Sequence, residues 1–247
     1  MEEPASNTQA TPTVSALFPN LLAHLASTIP HQTPLKKDII CAIDGPDASG
    51  KTIFAEALAS TLRSQGRETI VIHLDDFLNT RSTRHAKGRN SPEGFYHDTY
   101  NYEAFKYYIL NPFQPGGSRN YRAKATDLQR DIYLSETSSP WISAPPNGVI
   151  VLVEGMFLHR GALAGCWDWS MFLFVPFEVT AKRTMVRDGS GNGDPGCEAL
   201  RRYVGGQRIY YRECEPWRRA GQVIDNSDVE RTRIVGKDEL ERLGDRV

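Results

Sequence analysis

Cysteine is scarce in this 247-residue chain. Its four copies (Cys41, Cys166, Cys197 and Cys214) form no C-x-x-C pair and no cysteine–histidine set at zinc spacing, which argues against a disulfide scaffold or a zinc module. Long apolar runs are also missing: none approaches the length of a membrane span, so no membrane partner is expected. Charge of one sign is missing too. Lys and Arg number 29 against 30 Asp and Glu, a net charge of −1, so there is no basic field of the kind that gathers nucleic acid. The N-terminus, Met1-Glu2-Glu3-Pro4, is acidic and leads into no apolar stretch, so a cytoplasmic location is expected rather than secretion. No internal repeat is visible. What remains, 40% hydrophobic and 24% charged residues, is the composition of an ordinary globular enzyme.

The most informative segment is Gly45-Pro46-Asp47-Ala48-Ser49-Gly50-Lys51-Thr52, a G-x-x-x-x-G-K-T phosphate loop. It follows the apolar run Ile39-Ile40-Cys41-Ala42-Ile43 and precedes the helix-like Ile53–Ala59. Strand, glycine-bounded turn and helix is the context the motif needs, because backbone N–H groups and a helix N-terminus then point at phosphate oxygens. Lys51 would reach the β- and γ-phosphates, and the Thr52 hydroxyl would ligate Mg²⁺.

Outward from that loop, four further runs read as strands or strand ends: Thr69–Leu74, Val149–Val153, Met171–Val175 and Gln222–Asn226. Helical patterns separate them, which predicts an α/β fold: a three-layer P-loop NTPase with a mostly parallel sheet covered by helices, plus a short lid. Residues 1–13 are polar and read as a tail, and Val14–Ile29 reads as an amphipathic helix. The expected organisation is therefore residues 1–34 as tail and helix, and 35–247 as the P-loop domain. Residues 79–101 lack periodicity and read as a functional loop. Tyr102–Leu110 reads as a helix broken by Asn111-Pro112, and residues 114–122 as a turn with a basic tip.

Ligands of an open parallel sheet bind at the carboxyl ends of its strands. Asp75 and Asp76 follow the second strand and Glu154 follows the third. Phosphoryl transfer needs a carboxylate to accept the acceptor's proton and an acid to hold Mg²⁺ or its waters. Asp75 and Glu154 are placed for those roles; Asp76 suits a ligand contact or a helix cap. Arg183 and Arg187 stand four apart on a predicted helix, so they share one face. With the glycine-rich stretch 189–196 and Arg201-Arg202 they outline a lid, about residues 183–202, able to close over ATP. Ser91–Tyr100 mixes aromatics with His97 and acids, a composition suited to stacking and hydroxyl contacts.

Taken in order, the phosphate loop, Asp75-Asp76-Phe77, the His97/Asp98/Tyr100 segment, Val153-Glu154-Gly155 and Arg183-x-x-x-Arg187-Asp188 resemble the uridine kinase family of P-loop small-molecule kinases, over roughly residues 38–226. The resemblance implies ATP- and Mg²⁺-dependent transfer of a γ-phosphoryl group to a small-molecule hydroxyl, in the first instance that of a nucleoside. It makes Asp75 the base, Glu154 the metal support, and Arg183 and Arg187 phosphate contacts. His97, with Asp76, Tyr96 and Tyr100, would meet the substrate, and Arg122 after the Gly116-Gly117 turn would be a further contact. The chain departs from the family where Thr99-Tyr100-Asn101 follows His97-Asp98, where Leu78 follows Phe77, and in its glycine-rich lid. Those departures fall mainly on the acceptor side. They leave open a kinase of another hydroxylated metabolite (pantothenate, a sugar phosphate or a specialised metabolite) and a nucleotide-binding regulatory protein without turnover.

Overall fold

The computed structural model describes residues 18–33 and 37–243; the expected tail, residues 1–13, lies outside them. Five apolar runs form parallel strands: β1 (Ile39–Asp44), β2 (Thr69–His73), β3 (Ile150–Gly155), β4 (Trp169–Phe174) and β5 (Gln222–Asp225). The short β6 (Arg233–Ile234) pairs antiparallel with β5. The sheet order is β6-β5-β4-β1-β3-β2, with β1 in register with β3 from Ile39↔Ile150 to Asp44↔Gly155.

Every residue of β1, β3 and β4 is buried, as a strand covered on both faces requires. Alternation divides them. Ile39, Cys41 and Ile43 join Leu152 and Met171 against α1 (Pro19–Thr28) and α2 (Lys51–Ser64). Ile40, Ala42, Val151 and Phe172 face the aromatic layer of α3 (Pro92–Asp98), α4 (Phe177–Asp188) and α5 (Arg201–Cys214). These are the three layers. Cys41, in the middle of β1, has its thiol pKa pushed up by burial and serves as a small core side chain. Arg67 fastens the end of α1 to the sheet by donating to the carbonyls of Ala26, Ile29 and Pro30.

Three expectations need correcting. Residues 79–101 are not one irregular loop: they contain a helical turn at Arg81–Arg84 and the helix α3. The Ser91 hydroxyl caps α3 by accepting from the Gly94 amide at 2.9 Å, with Pro92 at its first position, a start signal too short to show as periodicity. α3 lies close against α5 because Gly206 leaves room; a Cβ there would come within 2.7 Å of the Phe95 ring.

The helix from Tyr102 does not stop at Pro112. It widens through a π-type turn at Lys106–Leu110 and runs on to Phe113. Proline lacks the N–H that would bond the carbonyl four residues back and crowds that carbonyl. The carbonyl concerned, of Tyr108, instead accepts from the Arg122 amide at 3.4 Å.

Residues 114–146 are more than a turn. Two small antiparallel pairs, Asn120–Tyr121 with Ile142–Ser143 and Thr126–Asp127 with Ile132–Tyr133, form an outer flap. Arg122 is the bolt of this flap, not a substrate contact. It is 2% exposed, its guanidinium donates to the carbonyls of Ser139, Leu134 and Ser135, and it covers the Tyr108 ring at 4.5 Å.

Arg122→Ala removes the donor to the Ser139 and Leu134 carbonyls and opens a void, so it is expected to lower stability by about 2–4 kcal/mol, measured by urea denaturation. A loss below about 0.5 kcal/mol, the range of an ordinary surface substitution, would contradict the bolt.

Candidate active site

The phosphate loop turns out of β1 on a buried carboxylate. Asp44 is 0% exposed, and a charge in such a place must be hydrogen-bonded. Its Oδ1 accepts from the Gly45 amide at 2.7 Å. Its Oδ2 accepts from the Tyr210 hydroxyl at 2.5 Å and the His159 amide at 3.1 Å, and lies 2.8 Å from His159 Nδ1. β1, the segment after β3 and α5 therefore meet at the first residue of the loop. Gly45 is required there: a Cβ would stand 2.9 Å from the Leu173 carbonyl and 2.8 Å from Ser49 Oγ.

The other end is braced by Asn226, just past β5. Its amide donates to the Ser49 carbonyl at 2.7 Å while its Oδ1 accepts from Thr232. Asp47 accepts from its neighbour's amide, Ala48 N, and its own amide donates to Gln207 of α5. Gly50, left-handed at φ 94°, opens α2, whose first-turn amides have no intrahelical acceptor. Lys51 Nζ rests on the Pro46 carbonyl at 2.9 Å.

Facing this loop is a cavity of about 360 Å³ lined by Asp47, Ala48, Gly50, Lys51, Thr52, Asp75, Glu154, Arg183 and Arg187, among others. Gly45, Pro46 and Ser49 of the loop are not among the cavity's lining residues. Glu154 is the penultimate residue of β3, and its Oε1 accepts from Thr52 Oγ1 at 3.2 Å and stands 2.7 Å from His73 Nδ1. The hydrogen bond to Glu154 raises the His73 pKa. His73, the last residue of β2, thus steadies Glu154. In the sequence it is one residue of the run Thr69–Leu74, and its place at the carboxyl end of a strand is the signal that marks it.

Thr52 and Glu154 offer hard oxygen donors, side by side, on the wall of the phosphate cavity. Mg²⁺ takes one or two protein oxygens and fills its remaining positions with water and phosphate. The pair fits that ion.

Asp75 lies in a single turn of 3₁₀ helix after β2 and opens onto the cavity. Protein encloses it closely enough that lost solvation is the largest cause of its raised pKa, opposed by the Tyr100 hydroxyl and by Lys51. Tyr100 donates to Asp75 Oδ1 at 2.8 Å. Arg183 and Arg187 point from one face of α4 at the loop. Arg183 is tied to the carbonyls of Asn226 and Ser227, and Arg187 pairs with Asp47 at 3.1 Å. The glycine-rich stretch begins at Gly189, left-handed at φ 72°, where α4 ends.

A second cavity, of about 170 Å³, adjoins the first and shares Asp47 and Asp75 with it. Its walls include Arg84, His85, Phe95, Tyr100, Arg202 and Tyr203. Of the residues expected to meet substrate, Tyr100 lines it. The others do not. Tyr96 is buried in the aromatic layer with its hydroxyl 3.4 Å from Cys214 Sγ. His97 is exposed, its ring tilted by 55° against that of Tyr96. Asp76 is ion-paired with Lys124 at 2.9 Å, and Arg122 holds the flap. A helix puts successive side chains on different faces, and the second cavity is lined by Phe95 and Thr99 rather than by Tyr96 and His97.

No protein-family model and no curated protein sequence matches the chain. Solved structures do resemble it. A possible uridine kinase from Bacillus stearothermophilus superposes with a TM-score of 0.64 and 23% identity, over 83% of this chain and 98% of that one. D-glycerate 3-kinase from Cryptococcus neoformans gives 0.54 and 11%, over 92% and 100%. Phosphoribulokinase from Rhodobacter spheroides gives 0.53 and 14%, over 79% and 74%. At these identities the likeness establishes the fold: the chain has the three-layer α/β P-loop architecture of those structures.

The brace beneath the loop can be tested through its least disruptive member. Tyr210→Phe removes one of the donors to Asp44 and is expected to cost about 1–3 kcal/mol in chemical denaturation while weakening ATP binding. Unchanged stability and unchanged ATP affinity together would show that the buried carboxylate does not organise the loop.

Proposed function

We propose that the chain is an ATP- and Mg²⁺-dependent phosphotransferase that moves the γ-phosphoryl group onto a hydroxyl of a small molecule. The observation that carries this reading is the position of Asp75, on the shared wall of the two cavities. A nucleotide-binding regulator without turnover has no use for a carboxylate directed at a second ligand.

In this reading the amides opening α2 and the Lys51 ammonium, turned away from Pro46, hold the phosphates of ATP. Arg183 and Arg187 face the same charge from α4, and the stretch beyond Gly189 acts as a lid. Thr52 and Glu154 are the groups that would hold Mg²⁺, which when bound neutralises charge on the phosphate oxygens. Asp75 takes the proton of the acceptor hydroxyl as that oxygen forms its bond to the γ-phosphorus. The bond from the γ-phosphorus to the bridging oxygen breaks, and ADP leaves. The raised pKa of Asp75 makes it a better base than an ordinary aspartate. Tyr100, by donating to it, holds the carboxylate in one orientation and limits the rise. The acceptor is a small alcohol. The nucleoside suggested by the family resemblance finds no support from Tyr96 or His97, which lie outside the second cavity.

Asp75→Asn keeps the shape but removes the base, and is expected to lower kcat by roughly 10²–10⁴-fold while ATP binding is largely kept. Near-normal turnover would remove Asp75 from its role. In the wild type, kcat/KM falls as pH drops through the raised pKa of Asp75. Tyr100→Phe deletes a contact that lowers that pKa, so the acidic limb of the profile moves to higher pH; movement to lower pH would contradict the assignment.

A further inference from the structure

We infer that the acceptor is a compact anionic alcohol, with its hydroxyl at Asp75 and a carboxylate or phosphate held in the second cavity by Arg84, His85 and Arg202. The inference rests on the phosphotransferase reading and adds the class of acceptor to it.

The cavity is bipolar. On the wall shared with the ATP cavity stand two carboxylates that have cations of their own: Asp47 pairs with Arg187, and Asp75 lies near Lys51. On the part of the wall that the first cavity does not share, the balance is reversed. Arg84, His85 and Arg202 line the wall, and the fields of Arg81 and Arg89 also reach His85. Among the described residues, one carboxylate stands within ion-pair range of the two lining arginines: Asp131, 3.8 Å from Arg84. Lys87 already engages the nearby Asp98, at 2.9 Å.

Backbone carbonyls hold both guanidinium groups in place without cancelling their charge. Arg84 Nε donates to the Asn79 carbonyl at 2.8 Å. Arg202 donates to the carbonyls of Arg84, Gly88 and Arg89 and sits 5.6 Å from the centre of the Phe95 ring. Two like charges are thus fixed against each other. After desolvation, the proximity of Arg202 and Arg84 is the next cause of the lowered pKa of His85, and Arg84 likewise contributes to the lowering at Arg202. A site that crowds cations in this way gains most from an anion, and guanidinium forks fit the planar oxygens of carboxylate or phosphate. The volume, about 170 Å³, is well below the ~300–1,000 Å³ of pockets that take drug-sized ligands, which favours a few-carbon molecule.

The test uses matched acceptors that differ in charge on one skeleton: glycerol, glycerate and glycerol 3-phosphate; ribose, ribonate and ribose 5-phosphate; and uridine. The full chain is assayed with ATP and Mg²⁺ by ADP release. In at least one series the anionic member is expected to exceed its neutral parent by about tenfold or more in kcat/KM, and the better of carboxylate and phosphate identifies the headgroup. Arg84→Gln is expected to raise KM for that acceptor about tenfold or more with KM for ATP unchanged, and Arg84→Lys to restore part of the loss. Neutral members or uridine turned over as well as the anions would overturn the inference and leave the kinase reading standing. If no acceptor promotes ADP release, equilibrium binding in the presence of a non-hydrolysable ATP analogue decides. Preferential binding of the anions upholds the anion-holding role of Arg84, His85 and Arg202 even though turnover has failed; absence of that preference overturns the inference.

Discussion

A carboxylate buried beyond the reach of water has to find its donors within the fold, and the way Asp44 does so organises the end of the molecule that carries the phosphate loop. It is the last residue of β1, and its partners come from the phosphate loop, from the segment after β3 and from α5. Removing one partner from a buried charge costs far more than the bond itself is worth on balance. The loop is therefore tied to its sheet and to the helix that carries Arg202. From the opposite side Asn226 closes the loop's far end. The phosphate loop is held at both ends before any nucleotide arrives.

The same economy appears around the chemistry. Glu154 is fixed by Thr52 and His73, and Asp75 by Tyr100. Catalysis of phosphoryl transfer depends mostly on positioning and charge placement, and in each case a neighbour limits the rotamers of the acid that matters. Strand order brings these groups together: β3 lies between β1 and β2, so Glu154 stands between the loop on one side and Asp75 on the other. Two cavities then meet at Asp75. One is bordered by the loop and the arginines of α4, the other by α3, α5 and the turn at Arg81–Arg84.

Where the sequence was legible, the physics was local. Strands buried on both faces appear as unbroken apolar runs, and the five main strands fall within a residue or two of where such runs predicted them. The glycines and the Lys-Thr pair of the loop announce their geometry in the same way. What escaped notice depended on tertiary contact. His73 and Asn226 look like ordinary strand ends until the sheet order shows what each faces. Arg122 follows a glycine turn, as a binding arginine might be expected to, yet its three acceptors come from a flap that composition did not reveal. Tyr96 and His97 lie on faces of α3 that do not line the second cavity, and α3 is too short for periodicity to orient it. Pro112 breaks a helix by rule, but a π-type turn and the Arg122 amide together absorb the disruption.

The central claim is that Asp75 directs transfer from the nucleotide in one cavity to an alcohol in the other. It is tested most directly by incubating the chain with ATP labelled at the γ-phosphorus, Mg²⁺ and a protein-free small-molecule extract, then following the label. The account predicts a labelled phosphate monoester with the wild type and its near-absence with Asp75→Asn. Label that stays in ATP or passes only to inorganic phosphate, or a monoester formed equally by the variant, would contradict it.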